Sequence, residues 1–271
     1  MVDVFQEDLL TGRTALITGG GTGLGFATAG KLARLGAHVV LAGRRLDVAE
    51  SSARELREQG LAASAIQLDV RDYDAVAAAI AGIVEENGGL DILVNNAAGN
   101  FRCATEDLTP NGWRTIVDID LNGTFNCTHA AFSALSASPH IGRIVSIITS
   151  YAWSGWPGCA PAASAKAGIQ ALMKTLAVEW GDRNILCNSV APGIIGGTEG
   201  ARRIHEEVGR GDHELNRVPV GRTGSADDIA NVVAFLASPA GQYVNGADLV
   251  VDGGRQYSFG KASVGVGNEQ R

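Results

Sequence analysis

The sequence predicts an α/β protein, in which a single doubly wound domain carries helices on both faces of a seven-stranded parallel sheet. Apolar runs rich in β-branched residues alternate with alanine-rich helical runs along the chain, which is the order of repeated βαβ units. Runs such as His38–Gly43 (HVVLAG) and Asp91–Ala97 (DILVNNA) are almost continuously apolar, as strands are when both faces are covered. The chain shows no internal repeat and no linker, so we expect one domain.

Seven short apolar runs bounded by turn-forming or polar residues are predicted as the strands. Because each is followed by a helical pattern, neighbouring strands must run parallel and connect through crossover helices. In such sheets the ligand binds at the carboxyl ends of the strands, where the strand order reverses. The predicted strands are Arg13–Thr18, His38–Gly43, Ala65–Val70, Asp91–Ala97, Gly142–Ile148, Ile185–Val190 and Asp248–Asp252.

The helices are predicted where apolar residues recur at helical spacing, as Val76, Ile80 and Ile83 do. Gly36 and Gly60 follow the first two helical runs and are expected to end them. The predicted helices are Leu24–Leu35, Asp47–Gln59, Ala75–Glu86, a segment near Trp113, Asn122–Ala137, Ala163–Gly181 and Ala226–Leu236.

Composition narrows the class of function. The 271 residues include 22 Lys and Arg against 29 Asp and Glu, a formal net charge of −7, which disfavours a nucleic acid or an anionic membrane as partner. No apolar run approaches the roughly 20 residues of a membrane helix. The four cysteines form no CxxC pair and no metal spacing with the five histidines. We therefore expect a cytoplasmic protein with reduced thiols and no metal site.

A glycine-rich segment, Thr18–Gly25 (TGGGTGLG), lies between the first strand and the first helix. Glycines there allow a tight turn and close approach of backbone N–H groups to a pyrophosphate, and the helix N-terminus adds the positive end of its dipole. The alternative is a glycine-rich turn without a ligand, but the strand before and the helix after favour a phosphate loop. The pattern is T-G-x-x-x-G-x-G, and the predicted ligand-binding residues are Gly19, Thr22, Gly23, Leu24 and Gly25.

Together with two other motifs, this loop resembles the short-chain dehydrogenase/reductases. Asn95–Gly99 (NNAAG) follows the fourth strand and Pro192-Gly193 follows the sixth, and the order and spacing match the family from about residue 10 to 254. The resemblance implies a Rossmann fold, a dinucleotide cofactor, hydride transfer and usually a homotetramer. It also implies cofactor contacts at Asn96, Ala97, Ala98, Gly99, Pro192, Gly193, Ile195 and Lys166, and an adenine contact at Asp69 and Val70.

The end of the second strand indicates which dinucleotide binds. Enzymes that prefer NAD usually carry an acid there, which accepts a hydrogen bond from the ribose 2′-hydroxyl. This chain has Gly43 followed by Arg44 and Arg45, and arginine favours a 2′-phosphate through charge-assisted hydrogen bonds. Thr22 can add a further donor. The alternative is that the two arginines only begin a solvated helix. We predict NADPH as the cofactor.

The usual catalytic residues of the family are only partly present. Ordinary members carry a serine after the fifth strand and a Tyr-x-x-x-Lys motif on the next helix. Lys166 matches the lysine, but Ala162 stands in the place of the tyrosine and Thr149 in that of the serine. Either catalysis has been lost or the acid has moved, and Tyr151, just beyond the fifth strand, is the candidate for a relocated phenol.

That relocation resembles one branch of the family, the 2,4-dienoyl-CoA reductases, which act in fatty acid β-oxidation. The stretches that match the branch are Asn95–Phe101 (NNAAGNF), Pro110–Trp113 (PNGW), Leu121–Thr124 (LNGT), Ala163–Gly168 (ASAKAG) and Glu179–Gly181 (EWG). Ala162, where the branch usually has serine, and Gly197, where a threonine often follows Pro-Gly, depart from it. By this resemblance Tyr151 and Asn122 hydrogen-bond the thioester oxygen, Lys166 holds the ribose, and Thr149 positions a donor or a water molecule.

Alternative functions and roles remain open from the sequence. A ketoreductase or dehydrogenase of secondary metabolism can use Tyr151 as a displaced proton donor, and a dinucleotide-binding protein without catalysis needs no acid at all. Tyr151 can also be an aromatic residue without a catalytic role, and Trp153 and Trp156 are expected to pack rather than to line the substrate.

The resemblance also sets the predicted boundaries and assembly. We expect one domain over residues 1–254, with a substrate lid over about 194–217 and a tail over 255–271. The alanine- and leucine-rich faces of Asn122–Ala137 and Ala163–Gly181 allow close helix packing, so we expect these helices to form the main interface of a homotetramer.

Overall fold

A seven-stranded parallel sheet forms the centre of the computed structural model, which describes residues 6–197 and 218–258. The strand order is β3-β2-β1-β4-β5-β6-β7, and each neighbouring pair is parallel. The predicted fold class is confirmed. The strands are β1 (Thr14–Thr18), β2 (His38–Gly43), β3 (Ala63–Gln67), β4 (Ile92–Asn95), β5 (Gly142–Ile147), β6 (Ile185–Pro192) and β7 (Asp248–Val251).

The strand order reverses between β1 and β4, which lie side by side with Ala15 opposite Ile92. The chain leaves β1 towards β2 on one side and leaves β4 towards β5 on the other. The two segments that follow β1 and β4 therefore border one crevice at the carboxyl edge of the sheet, the usual ligand position in doubly wound folds.

Eight α-helices are described within these ranges; seven correspond to predicted helices, whose predicted ends shift by up to three residues, and the short helix Tyr151–Ser154 was not predicted. The helix with Lys166 begins three residues earlier than predicted, at Ala160, since Pro161 is well tolerated in a first helical turn. The helix near Trp113 and the following long helix are joined by a π-helical turn, Asp118–Asn122. The helices are α1 (Gly23–Arg34), α2 (Leu46–Glu58), α3 (Tyr73–Asn87), α4 (Pro110–Val117), α5 (Gly123–Ser136), α6 (Tyr151–Ser154), α7 (Ala160–Glu179) and α8 (Ala226–Ala237).

Apolar packing covers the sheet on both faces. Consecutive β1 residues alternate between the two layers, because side chains on a strand point alternately to opposite faces. Ile17 belongs to the layer that includes α1 and α8, and Leu16 to the layer that includes α3, α5 and α7. All residues of β1, β4 and β5 are buried, so the centre of the sheet is a rigid platform for the loops at its carboxyl edge.

The last strand is followed by an ordered turn. Asp252 accepts hydrogen bonds from the backbone N–H groups of Gly254 (2.8 Å) and Gln256 (2.7 Å), and Arg255–Tyr257 form a short 3₁₀ helix. The first residues of the predicted tail therefore belong to the folded structure. Of the predicted lid, residues 198–217 lie outside the described part. Among the described residues, no helix is long and apolar enough to cross a membrane.

Candidate active site

The glycine-rich loop after β1 is packed so tightly that side chains are excluded at several of its positions, among them Gly19 and Gly25. Gly19 adopts a φ of +64°, and a Cβ atom there would lie 2.9 Å from Nδ2 of Asn96. A Cβ atom on Gly25 would collide with the carbonyl oxygen of Gly19. These glycines therefore allow the loop to turn directly against the segment after β4.

The N-terminus of α1 borders an open cleft of about 1000 Å³. The Thr22 side chain does not cap the helix, and the first turn contains no acidic residue, so the backbone N–H groups and the helix dipole are available to an anion. A Cβ atom on Gly23 would meet no atom within 4 Å. Gly19, Thr22, Ala97, Ala98 and Gly99 line the cleft, and Leu24 and Gly25 continue into the helix. The predicted loop thus places an uncapped helix N-terminus at the edge of the cleft.

Asn96 holds this loop in place. Its side-chain amide donates to the carbonyl oxygens of Thr18 (3.0 Å) and Gly19 (3.1 Å), and its backbone N–H donates to Oγ1 of Thr18 at 3.0 Å. The prediction gave Asn96 a cofactor contact. In the structure, its polar groups fix the two segments that border the cleft, and the cofactor contact stays a prediction.

Basic and acidic side chains lie at the other end of the cleft, where β2 and β3 end. Arg44 and Arg45 are exposed and line the cleft. Their guanidinium groups form no salt bridge with any residue that the structure describes. Asp69 and Val70 also line it. Both carboxylate oxygens of Asp69 accept hydrogen bonds from Arg71, which lowers the pKa of Asp69. An anion that enters this end of the cleft would therefore meet positive charge at Arg44.

Lys166 lies at the carboxyl end of β5. Its ammonium group donates to the carbonyl oxygen of Ile147 at 3.0 Å and lies 3.4 Å from Oδ2 of Asp120. The other Asp120 oxygen accepts from the backbone N–H of Gly99 at 2.7 Å. Burial raises the pKa of Asp120, and Lys166 and the Gly99 N–H oppose that rise. A buried acid–base pair thus lies between the Gly99 segment, which lines the cleft, and the end of β5.

The hydroxyl groups expected near this lysine come from the segment after β5. Thr149 is half-buried two residues beyond Ile147, and Tyr151 begins α6, which packs against α7. Ala162 is buried one turn before Lys166 on α7 and has no proton to donate. The Tyr151 ring stacks on Trp156 with centroids 5.0 Å apart. Tyr151 thus begins a helix that packs against the helix carrying Ala162 and Lys166.

The structure does not bring Asn122 to Lys166. Asn122 is exposed, and its amide donates to Oδ1 of Asp118 at 2.8 Å. Asp120, two residues earlier, is the side chain of this turn that contacts the lysine. The π-helical turn sets these orientations, since one extra residue per turn rotates every following side chain.

The strand β6 ends in the third predicted cofactor segment. Gly193 donates its N–H to the carbonyl oxygen of Val251 at 2.9 Å, and a Cβ atom on it would lie 2.6 Å from Cα of Asp252. Ile195 is buried and forms a β-bridge with Gly224. Pro192 and Gly193 thus fix the start of the segment that leads to residues 198–217.

Comparison with known proteins decides the family. A family model described as enoyl-(acyl carrier protein) reductase matches residues 19–256, which include the loop, the lysine and the end of the sheet. The chain belongs to the short-chain dehydrogenase/reductase family. The resemblance inferred from TGGGTGLG, NNAAG and Pro192-Gly193 is confirmed.

Similar members of the short-chain dehydrogenase/reductase family include proteins named as dienoyl-CoA reductases. A probable 2,4-dienoyl-CoA reductase [(2E)-enoyl-CoA-producing] of Bacillus subtilis is 41% identical over 244 residues, which is 90% of this chain and 96% of the relative. A peroxisomal 2,4-dienoyl-CoA reductase [(3E)-enoyl-CoA-producing] of Pongo abelii is 41% identical over 94% of this chain and 88% of the relative. The predicted resemblance to this branch is confirmed.

Solved structures of other short-chain dehydrogenase/reductases share the fold. A short chain dehydrogenase from Bacillus anthracis is 39% identical with a TM-score of 0.81, over 90% of this chain and 97% of that one. A gluconate 5-dehydrogenase from Burkholderia cenocepacia, in complex with NADP and tartrate, is 34% identical with a TM-score of 0.87, over 93% and 98%. Proteins named as reductases and as dehydrogenases thus share this fold. The reaction of this chain must therefore be argued from the residues of its site.

The sequence reasoning missed two polar residues of the site. Asp120 lies between Ile119 and Leu121 in a helical stretch, and an acid flanked by apolar residues at that place is the signal that points to it. Asn100 follows the NNAAG motif and lines the cleft. Within the described residues its amide group donates only to Sγ of Cys159, at 3.8 Å, and its Oδ1 atom is buried without a hydrogen-bond partner. The unsatisfied oxygen can accept a hydrogen bond from a ligand, and the NH₂ group of Asn100 has a second N–H to donate besides the one directed at Cys159.

Proposed function

We propose that the protein is an NADPH-dependent reductase of a conjugated CoA thioester, a 2,4-dienoyl- or enoyl-CoA. The observation that carries the proposal is the position of the phenol that can act as the acid. On α7 the place of the family's tyrosine is taken by Ala162, while Tyr151 begins the helix directly after β5. Hydride addition to a conjugated thioester requires stabilisation of an oxyanion more than immediate protonation of that oxygen. The names of the Bacillus subtilis and Pongo abelii relatives support the same substrate class.

The residues of the cleft fit a dinucleotide. The glycines against Asn96, the uncapped N-terminus of α1 and a volume of about 1000 Å³ suit a pyrophosphate with its flanking nucleosides. Arg44, Arg45 and Thr22 would hold a 2′-phosphate, and Asp69 with Val70 would border the adenine. Lys166 would hold the nicotinamide ribose. When bound, the reduced nicotinamide supplies the hydride.

The remaining chemistry belongs to the protein's own side chains. In the proposed mechanism, the Tyr151 hydroxyl and the Asn100 amide donate hydrogen bonds to the thioester oxygen. Negative charge grows on that oxygen as the substrate becomes a dienolate, so the two donors bind the transition state more tightly than the substrate. Thr149, at the end of β5, positions a further donor or a water molecule.

Lys166 and Asp120 supply the buried charges behind these donors. The lysine keeps a positive charge near the reacting centre, which favours the developing anion. Asp120 holds the lysine and is itself fixed by the Gly99 N–H. Tyr151 is only half-buried, so after turnover it can recover from solvent the proton that it gives to the substrate.

The position of the donors also favours one product. Hydride adds at C5 of the dienoyl chain, and the resulting dienolate accepts a proton at C2 or at C4. Protonation at C2 leaves a 3-enoyl thioester, and protonation at C4 leaves a 2-enoyl thioester. Since the proposed donors surround the thioester end, we propose protonation at C2 and a (3E)-enoyl product, as in the name of the Pongo abelii relative.

The test is turnover of a defined substrate. Purified protein with NADPH and a 2,4-dienoyl-CoA should lose the diene absorbance and the NADPH absorbance at equal rates. Nuclear magnetic resonance of the product then locates the remaining double bond. Turnover of a simple ketone but of no dienoyl- or enoyl-CoA would instead show a ketoreductase, and binding of NADPH without turnover of either substrate would show a non-catalytic dinucleotide-binding protein.

We also propose a cytoplasmic homotetramer. Helix α5 exposes Phe125 (48% accessible) and α7 exposes Val178 (85%), and both helices present small residues that permit close packing. Exposed apolar groups on two long helices favour burial against another copy. The small-molecule substrate would then be the only other partner.

A further inference from the structure

The candidate proton donor is part of a stack of three planar groups. Tyr151 and Trp156 stack with centroids 5.0 Å apart and an interplanar angle of 21°. The guanidinium carbon of Arg255 lies 4.9 Å from the centroid of the Trp156 ring. Trp156 thus links a residue that follows β5 with one that follows β7.

The backbone fixes the positions of Trp156 and Arg255. Trp156 lies between Gly155, with a φ of +65°, and a turn in which Cys159 donates its N–H to the Trp156 carbonyl oxygen at 3.1 Å. Arg255 lies in the turn that the Asp252 carboxylate holds through the backbone N–H groups of the residues on either side of it. Two ordered turns therefore bring the indole and the guanidinium together.

A flat contact of this kind restricts the rotation of a tyrosine ring. Exposed aromatic side chains exchange rotamers freely, and Tyr151 is only half-buried. Stacking on Trp156 favours one plane for the phenol, and a cation over the indole holds Trp156 in turn. The direction of the Tyr151 hydroxyl thus depends on a residue more than 100 positions later in the chain.

From this arrangement we infer that Trp156 and Arg255 are positioning residues, which aim the Tyr151 hydroxyl at the thioester oxygen of the substrate. The inference rests on the proposed function, since it gives Tyr151 the role of donor. Neither residue exchanges a proton or contacts the reacting atoms. Arg255 acts through Trp156, and Trp156 acts through Tyr151.

The experiment is a double-mutant cycle on the full-length protein with a dienoyl-CoA and NADPH. We expect Trp156→Leu to lower kcat about tenfold and Arg255→Met about threefold, magnitudes typical of stacking and cation–π contacts. Trp156→Phe and Arg255→Lys, which keep a ring and a cation, should restore most of the loss. In a Tyr151→Phe background, Trp156→Leu should cause no further loss, because there is no hydroxyl left to aim.

Two further measurements separate positioning from folding. Near-ultraviolet circular dichroism should show the loss of the Tyr151–Trp156 signal in Trp156→Leu, and the thermal midpoint of Arg255→Met should stay close to that of the unmodified protein. The matched control is Arg183→Met, since the Arg183 side chain pairs with the adjacent Asp182 at the surface. If Trp156→Leu fails to fold, the losses of kcat caused by Arg255→Met and Arg255→Lys, each measured with and without the Tyr151 hydroxyl, replace it in the cycle.

The outcomes distinguish this inference from the proposed function. An equal loss from Trp156→Leu in the unmodified protein and in the Tyr151→Phe variant overturns the inference and leaves the proposed function standing. The same conclusion follows if neither positioning variant loses activity while Tyr151→Phe is impaired. Full activity of Tyr151→Phe on a dienoyl-CoA overturns the inference and the donor role of Tyr151, while the absence of any dienoyl- or enoyl-CoA turnover by the unmodified protein overturns the proposed function.

Discussion

The ammonium group of Lys166 lies 3.4 Å from a carboxylate oxygen of Asp120, and both side chains are buried, with exposures of 9% and 1%. Breaking one half of a buried ion pair is costly because the other charge is left without compensation. The pair lies directly behind Gly99, whose N–H donates to the second Asp120 oxygen. The protonation state of Asp120 therefore affects the hydrogen bond that holds Gly99, a residue of the cleft wall.

The first prediction concerns pH. Burial raises the pKa of Asp120 above the ordinary value of 3.8, so Asp120 takes up a proton as pH falls through this raised pKa and the attraction to Lys166 is lost. We expect an acidic limb in the profile of kcat/KM, at a pH above 3.8. Asp120→Asn should lower kcat about 10²-fold and remove that limb.

Measurements of kcat/KM from about pH 4 to 9 check the acidic limb, because this range spans the region in which catalytic carboxyl groups titrate. The control is Asp118→Asn, which changes another acid of the same helical turn. An acidic limb that persists unchanged in Asp120→Asn would assign the titration to another group.

The second prediction concerns the choice of cofactor. Arg44→Ala should weaken NADPH binding by about 1.5–3 kcal/mol, the range for a hydrogen bond to a charged group, while NADH binding changes little. The exposed Arg54 on α2 provides the control substitution Arg54→Ala. Fluorescence titration measures both affinities. Equal affinity of the unmodified protein for NADH and NADPH would refute the assignment.

The third prediction concerns assembly. Light scattering of the unmodified protein at micromolar concentration should give the mass of four chains. Phe125→Glu should shift the mass towards smaller species, because a charge would be buried at the α5 interface. Leu46→Glu, a comparable change at a 44% exposed position of α2, should leave the mass unchanged. A monomeric unmodified protein contradicts the prediction.

The fourth prediction concerns the stability of the region before α8. Asp228 accepts a hydrogen bond from Arg222 at 2.7 Å and forms a capping box with Ser225, and these contacts lower the pKa of Asp228 to about 2. A lowered folded-state pKa stabilises the folded protein above the unfolded value, and this contribution is lost as pH falls from about 4 to 2. Asp228→Asn should thus cost roughly 1 kcal/mol at about pH 7 and roughly half as much at about pH 3.

Urea unfolding at the two pH values measures this difference, with Asp227→Asn as the neighbouring control. The same loss under both conditions would show that the charge of Asp228 is not the source of the stability.

The sequence was sufficient to predict those parts of the site that depend on one segment. The tight turn at Gly19 and Gly25 and the helix that follows are local consequences of TGGGTGLG, and the parallel order of elements brings NNAAG beside them. Lys166 was assigned from the resemblance of ASAKAG to the family's motif, and this segment lies on one continuous helix. In each case spacing along the chain decides position.

The contacts that the sequence could not reveal depend on a helical irregularity and on pairs of residues from distant segments. The spacing of Asp118, Asp120 and Asn122 does not reveal which of them faces Lys166, because the π-helical turn changes their rotation about the helix axis. The contact of Asn100 with Cys159 and that of Arg255 with Trp156 join residues from different loops. No local pattern marks such pairs, so Asn100 was missed and Arg255 was placed in a tail.

The last prediction tests which side chains stabilise the oxyanion. Tyr151→Phe removes one donor and should lower kcat by about 10²–10³, roughly 2.7–4 kcal/mol in the barrier, while NADPH affinity barely changes. Asn100→Ala should cost a comparable amount, and the double variant less than the sum, because both donors act on one oxygen. Tyr243→Phe, at a 99% exposed position, is the control.

Two further variants separate this assignment from its alternatives. If Asn122 acts at the oxygen, Asn122→Ala should cause the same large loss, whereas its exposed contact with Asp118 predicts a small one. Ala162→Tyr should not rescue Tyr151→Phe with a dienoyl-CoA, since a phenol at this buried position would crowd the acyl chain. Full activity of Tyr151→Phe on the best substrate would leave the oxyanion to Asn100 and a bound water molecule, and would refute the relocation of the acid.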